Sequence, residues 1–414
     1  MGLVTGVCFA DIGYQVCLIA RSQSKIDNLK KCVVPFYEPG LDKLIQKNSK
    51  RLHFTTDFEE AVNFADVIFM AVGTPSNPDG SCDLSQIEEV SKIIGHSMTG
   101  PKVIVIKSTV PVGTDKKIRQ WISSNTNKKF SLVSNPEFLR EGTAIDDFMN
   151  PDRVIIGADD TKAAKVVQSI YKPYGAKILT TDISSAILIK YGSNSFLATK
   201  ISFINEMANL AQIVGANITD IADGMGLDKR IGRAFLNAGI GYGGSCFPKD
   251  VKELMHTAKN AGYHFRILDG VEEVNVLQKA LPTEKLAKMM ALGGKTVAVL
   301  GLAFKPETDD MREASSLVII NKLLMGGAKV QAWDPVAEEN AKRLAPNIVC
   351  FNTVYQALKG ADAAIIATEW EQIKRLDLKK VKKLMKRALI IDGRNVFDPK
   401  SMKKLGFDYQ SVGR

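Results

Sequence analysis

A cysteine that follows a run of glycines and precedes a lysine and an aspartate offers the parts for covalent catalysis. Residues 239–250 read Gly-Ile-Gly-Tyr-Gly-Gly-Ser-Cys-Phe-Pro-Lys-Asp, with Gly239, Gly241, Gly243 and Gly244 crowding the approach to Cys246. Glycine lets a backbone turn tightly and lets a ligand come close to it. A thiol in such a loop, beside Lys249 and an expected helix start, can ionise and act as a nucleophile. The competing reading is a buried structural thiol, since a lone cysteine is often a small core residue. The dense glycines and the adjacent Lys249 and Asp250 shift the weight to chemistry.

Other reactive groups are spaced to join it. Glu137 and Glu141 lie four residues apart in Ser-Asn-Pro-Glu-Phe-Leu-Arg-Glu-Gly at 134–142. At that spacing they would share one helical face, where either could act as a general base or pair with a lysine. The alternative is surface charge around a proline turn. Lys190 and Asn194 stand at i and i+4 in the apolar helical stretch 183–215, so they point the same way. Lys190, among Ile189, Tyr191 and Phe196, is either partly desolvated or a snorkelling surface lysine. Thr109 falls at a strand end in Lys-Ser-Thr-Val-Pro-Val-Gly, 107–113, where the alternative is a turn or helix cap. The histidines, His53, His96, His256 and His264, are far apart and form no metal or triad motif. That disfavours a dehydrogenase with a histidine base.

Alternating elements must position these groups. Residues 1–12 read as a helix with Val4, Val7 and Cys8 on one face and Gly2 and Gly6 on another, followed by a strand at 15–20. Helices are expected near 25–31, 41–48, 58–64 and 84–98. Residues 66–72 form a continuous apolar run and read as a buried strand ending in Gly73-Thr74-Pro75. Strands follow at 103–106, 131–133 and 154–157. In α/β sheets ligands bind at such carboxyl-end loops. After a helical region to about 285, strands at 295–302, 329–333, 363–367 and 389–391, with a helix at 315–325, repeat the pattern. The class is α/β: two Rossmann-like doubly wound domains joined by a central helical domain with a long helix.

A chain of 414 residues exceeds one ordinary core. The net charge of +10 would suit a nucleic-acid binder, but the lysines are dispersed and no recognition module occurs. The excess instead favours small anions such as nucleotides. The six cysteines contain no CxxC pair, which fits reduced thiols in the cytoplasm. No signal peptide or membrane-spanning run is legible.

The motifs at 73–75, 107–113, 134–142, 188–206, 241–250, 301–313 and 392–395 together resemble those of the UDP-glucose/GDP-mannose dehydrogenase family, along essentially the whole chain. Phe-Leu-Asn-Ala-Gly-Ile-Gly-Tyr-Gly-Gly-Ser-Cys-Phe-Pro-Lys-Asp at 235–250 is most similar to the UDP-glucose branch. The resemblance implies an NAD domain (1–180), a central helical dimerisation domain (181–290) and a UDP-sugar domain (291–414). It implies oxidation of a UDP-sugar C6 alcohol to the acid through Cys246. Asp250, with Thr109 and a water, would take the hydroxyl proton. Lys190 and Asn194 would stabilise the oxyanion, and Glu137, supported by Glu141, would activate water. Glu141, Phe138, Leu139, Tyr242, Gly243, Phe247, Lys305 and Arg394 match substrate positions. Gly2, Arg21, Lys25, Gly73, Thr74, Thr109, Glu141, Lys249 and Arg312 match cofactor positions, Arg312 reaching a neighbouring subunit's cofactor. No metal is implied.

Two departures from the family pattern stand out. Gly2 matches the last glycine of the GxGxxG fingerprint, and the strand and glycines before it do not occur in the chain. A start codon somewhat upstream is therefore expected; were this the whole product, it would bind UDP-sugar but not NAD. At the end of the strand at 15–20, Ala20-Arg21-Ser22 replaces the usual ribose-binding acid, so NADP stands as an alternative to NAD. UDP-N-acetyl-hexosamine and GDP-mannose stand as alternative substrates.

Overall fold

A computed structural model describes all residues, Met1–Arg414. The chain forms two compact units, Met1–Ser193 with Lys252–Gly262, and Asn194–Val251 with Tyr263–Arg414. The helices Ile183–Val214 and Phe247–Asn260 each begin in one unit and end in the other.

In the first unit, strands β1 (Val16–Ile19) and β2 (Leu52–Thr55) pair in parallel as a separate two-stranded sheet. Strands β3 (Val67–Met70), β4 (Lys102–Ile106), β5 (Phe130–Ser134), β6 (Val154–Ala158) and β7 (Ile178–Thr181) form a second sheet in that order. Only the β5–β6 pair is antiparallel. No strand of the chain joins β1 to β3. That corrects one expectation: of the strand predicted to be buried at 66–72, only Met70 in β3 is fully buried, because β3 is paired on one side alone.

The helix Gly2–Asp11 is buried from Val4 to Ala10, so Gly6 faces protein as fully as the valines do. A Cβ on Gly6 would stand 2.7 Å from Leu18, which explains how closely the helix lies on β1. Phe9 then serves as the hub of an aromatic cluster, its ring centroid 5.0 Å from Phe69, 5.2 Å from Phe148 and 5.6 Å from Tyr171.

The second unit contains an all-parallel sheet built from β8 (Thr296–Leu300), β9 (Lys329–Trp333), β10 (Val349–Cys350), β11 (Ala363–Ile366), β12 (Leu389–Asp392) and β13 (Asp408–Gln410). Its order, β10-β9-β8-β11-β12-β13, is the 3-2-1-4-5-6 pattern of a dinucleotide-type fold. Strands β8, β11 and β12 carry unbroken apolar runs and are almost wholly buried, as central parallel strands must be. Asp334, just past β9, gathers the loops at the carboxyl edge. Its carboxylate accepts hydrogen bonds from the amides of Leu302, Ala303, Val336 and Ala337 and from the Trp370 indole.

Candidate active site

The first group of candidate side chains sits where β4 and β5 end. Beyond β5 the chain runs through Asn135-Pro136-Glu137 without helical structure up to the helix Ala144–Met149. The shared helical face expected for Glu137 and Glu141 is therefore not formed. Pro136 disfavours helical backbone at the residue before it, and Glu137 Oε2 accepts the Leu139 amide at 2.7 Å, closing a local turn instead. Glu137 is buried, whereas Glu141 is half-exposed.

Lys190 is buried too, which decides against a snorkelling lysine. Its Nζ donates to Glu137 Oε1 at 3.3 Å and lies 5.2 Å from the centre of the Phe138 ring. Arg153 covers the same ring at 4.0 Å. Burial pushes the Glu137 carboxyl up, but Lys190, the Leu139 amide and Lys107 outweigh it and hold the group below the usual glutamate value.

Lys107, at the end of β4, was not singled out by the sequence. It is buried, and its Nζ donates to Asn135 Oδ1 at 3.0 Å and to the Tyr171 hydroxyl at 3.1 Å. Tyr171 donates in turn to Asn135 Oδ1, and Asn135 Nδ2 donates to the Ile155 carbonyl. Glu38 was missed as well. Its carboxylate accepts the Gly142 and Ala144 amides, each at 2.8 Å, and so fixes the far end of the glutamate loop. The turn residues around it gave no hint of so distant a partner.

The second group surrounds Cys246. Gly241 and Gly244 adopt positive φ, and a Cβ on Gly243 would collide with the Glu313 carbonyl oxygen. Side chains of the second unit pin this backbone. Asn205 accepts the Gly239 amide, Gln278 donates to the Gly239 carbonyl, Asn275 bonds both backbone groups of Tyr242, and Ser315 donates to the Ile240 carbonyl. These four residues were also missed. The one available signal was the occurrence of Asn275 and Gln278 one turn apart in an otherwise ordinary helix, Arg266–Met289.

Cys246 immediately precedes the helix Phe247–Asn260, and its carbonyl accepts the Asp250 amide at 2.9 Å. The amino end of a helix favours a thiolate. Asp250 is fully buried and accepts hydrogen bonds from Asn194 Nδ2 and Lys249 Nζ, each at 2.6 Å. Lys190 and Asn194 lie one turn apart on the long helix, as their spacing predicts.

The remaining predicted residues fall into place unevenly. Tyr242 donates to Glu272 at 2.6 Å and meets the Phe247 ring edge-on at 6.0 Å. Arg394 donates to the Ala367 and Phe304 carbonyls at the carboxyl edge of the second sheet, and Lys305 lies 5.7 Å from the Phe304 ring. Arg312 forms a chelated pair with Asp310, and its carbonyl accepts the Gly244 amide at 2.8 Å, which ties this segment to the glycine loop. Thr74 is buried and donates to the Thr109 carbonyl at 3.0 Å. Thr109 caps no helix, because the next helix, Thr114–Ser123, is capped by Gly113.

At the expected cofactor edge, the helix Gly2–Asp11 begins without a side-chain cap or an acidic first turn, so its first amides suit a phosphate. A Cβ on Gly2 would stand 3.1 Å from Ala71 Cβ, and Gly73 faces the Gln86 side chain. These features fit a dinucleotide. Arg21 pairs with Glu89, which already engages its guanidinium, and Lys25 is exposed on the helix Gln23–Lys30.

Comparison with known proteins agrees with this chemistry. Models of the UDP-glucose/GDP-mannose dehydrogenase family match as the NAD binding domain over residues 1–175, the central domain over 184–276 and the UDP binding domain over 298–399. The UDP-glucose 6-dehydrogenase TuaD of Bacillus subtilis (strain 168) is 47% identical, over 100% of this chain and 91% of the relative. A UDP-glucose dehydrogenase structure from the hyperthermophilic archaeon Pyrobaculum islandicum superposes with a TM-score of 0.94 at 38% identity, covering 100% of this chain and 95% of that one. A UDP-D-ManNAc dehydrogenase structure from Pyrococcus horikoshii gives 0.88 at 26% identity, covering 100% and 97%.

Proposed function

The chain belongs to the UDP-glucose/GDP-mannose dehydrogenase family, and on that footing we propose that it is an NAD-dependent UDP-glucose 6-dehydrogenase making UDP-glucuronate. The observation that carries the proposal is Cys246, held at a helix amino end by a pinned glycine loop, with the buried Asp250 one turn further on.

NAD, when bound, accepts one hydride in each of two oxidations. The first amides of Gly2–Asp11, Gly73 and Thr74 would hold it, with Lys25, Lys249, Glu141 and Arg312 contributing. The chain's own residues do the rest. Asp250, with Thr109 and a water, takes the proton of the C6 hydroxyl as the alcohol becomes an aldehyde. Asn194 and Lys249 both donate to the Asp250 carboxyl and fix its orientation. The Cys246 sulfur adds to the aldehyde carbon and forms a thiohemiacetal. Loss of the second hydride leaves a thioester. Lys190 and Asn194 stabilise the oxyanion at each tetrahedral stage. Glu137, an ionised and buried carboxylate, removes a proton from the water that cleaves the thioester, returning the thiol and releasing the acid. Phe138, Leu139, Glu141, Tyr242, Gly243, Phe247, Lys305 and Arg394 are assigned to the UDP-sugar.

The division at 1–180, 181–290 and 291–414 belongs to the same proposal, supported by the bounds of the three family matches. So does a homodimer built on the long helix. Phe196, Phe203 and Leu210 recur every seven residues there, each about half exposed or more, with Ile213 beyond them. A free nucleophilic thiol is most readily kept reduced in a reducing compartment, which supports a cytoplasmic location. No helix is long and apolar enough to cross a membrane.

The test is nicotinamide reduction with UDP-glucose, UDP-N-acetyl-hexosamine and GDP-mannose, with NAD or NADP. Two reduced NAD per UDP-glucose, lost in Cys246→Ala, is the expected result. Preferred turnover of another sugar moves the chain to a different branch of its family. Full acid production by Cys246→Ala overturns the covalent route.

A further inference from the structure

Lys107 is an ammonium sealed inside the first unit with only neutral oxygens as direct partners. It is 4% exposed, and its hydrogen bonds go to Asn135 Oδ1 and the Tyr171 hydroxyl. The rings of Tyr171 and Phe148 lie 5.5 and 6.0 Å from its Nζ. Hydrogen bonding alone does not call for a charge here, because Tyr171 also donates to Asn135 Oδ1, at 2.6 Å. Burying an ammonium without a carboxylate in contact is costly. The charge it meets through space is that of Glu137, two residues beyond the asparagine it holds.

We propose that Lys107 is a positioning residue for Glu137: with Lys190 it forms a buried pair of cations around one carboxylate, and through Asn135 it anchors the strand end that carries that carboxylate. The inference rests on Glu137 acting as the base for thioester cleavage. Two mechanisms work together. Asn135 is fixed by its own amide on the Ile106 carbonyl, by its side-chain amide on the Ile155 carbonyl and by Lys107, so the Pro136-Glu137 turn starts from a rigid point. In addition, Lys107 and Lys190 keep Glu137 ionised despite its burial, so it enters the hydrolytic step already able to accept a proton.

The charged and titratable groups facing Glu137 are Lys190 from the long helix and Lys107 from β4, with the Leu139 amide and, over Phe138, Arg153. Those facing Lys107 are Glu137, Lys190 and the Tyr171 phenol. Burial pushes the Lys107 ammonium down to about 8, with Glu137 opposing and Lys190 reinforcing that shift. Removing Lys107 takes away one of two cations, so the Glu137 carboxyl must titrate at higher pH.

The experiment compares Lys107→Met, Lys107→Gln and Lys107→Arg with the wild type, in the full chain with UDP-glucose and NAD. Methionine removes charge and hydrogen bonds; glutamine removes charge and keeps hydrogen-bonding capacity. The readouts are kcat against pH, KM for UDP-glucose, melting temperature, and the fraction of Cys246 trapped as thioester by rapid quench and intact mass. For both neutral variants the acid limb of kcat is expected to move up by about one pH unit, so that turnover on that limb falls about tenfold. Thioester should accumulate there, while KM and melting temperature stay near wild type and Lys107→Arg restores the profile. Superimposable pH profiles, or a uniform fall in kcat together with a lower melting temperature, overturn the inference. Glu137→Gln separates the two levels. If it cleaves the thioester normally, the base assignment fails and the inference falls with it. If it stalls at the thioester while the Lys107 variants keep the wild-type profile, the inference alone fails.

Discussion

On the proposed function, Cys246 would draw its reactivity from the backbone around it. The loop before it is bent through positive φ at Gly241 and Gly244, and the helix after it presents its amino end. The other thiols are placed quite differently. Burial, reinforced by Asp11 and Glu38, pushes the Cys8 thiol up to about 12, and burial beside Glu60 pushes Cys17 up to about 11. Burial raises Cys350 as well. Limited alkylation with iodoacetamide near neutral pH is therefore expected to label Cys246 before Cys8, Cys17 and Cys350, with activity falling in step. Peptide mass mapping checks the order. Early loss of activity with Cys246 unlabelled contradicts a nucleophilic role.

At the scale of elements, polar side chains buried for structural reasons hold the chemistry in register. Glu38 receives two backbone amides from the glutamate loop, and no other side chain does this for Gly142 and Ala144. Glu38→Ala leaves both amides buried without their acceptor, at a cost of about 1–3 kcal/mol. A lower midpoint in urea, with an unchanged slope, is the expected outcome. A second element-scale prediction concerns the long helix. Phe203→Asp puts a charge in the exposed apolar row of Phe196, Phe203 and Leu210. If that row is buried in a homodimer, sedimentation velocity will show the variant as monomer while the wild type sediments as dimer. An unchanged assembly moves the interface elsewhere.

For the whole molecule, acid stability follows from how the buried carboxylates are partnered. Glu137 titrates below its usual value because its partners outweigh its burial, and Asp147 does so because the Arg140 guanidinium and amide and the Thr143 hydroxyl outweigh its burial. Groups lowered on folding contribute stability above the unfolded carboxylate value, and that stability is lost as pH falls through the lowered one. Thermal midpoints are expected to fall as pH drops below the ordinary glutamate range. Glu137→Gln should flatten that fall, since glutamine has no proton to gain. Asp392 works in the other direction: burial raises it above the usual value despite Tyr409 and two backbone amides. An acid profile identical in the wild type and Glu137→Gln would show that Glu137 is not held ionised.

The sequence by itself determined whatever is written in local spacing. Apolar runs marked nearly every central strand, and i,i+4 spacing put Lys190 and Asn194 on one helix a turn apart. Glycines marked the turn before Cys246 because only they tolerate its positive φ. Tertiary structure alone decided what depends on residues distant in the chain. Glu137 and Glu141 do not share a helical face, because Pro136 and the Leu139 amide close a turn there. The strand at 66–72 has the apolar run of a buried strand, yet β3 is paired on one edge only, and pairing is not a property of its own residues. Lys107, Glu38 and Asn205 were invisible in advance for the same physical reason, and Asn275 and Gln278 showed only as two amides one turn apart. A buried polar side chain is defined by the partner that satisfies it, and here those partners lie between 28 and 106 positions away.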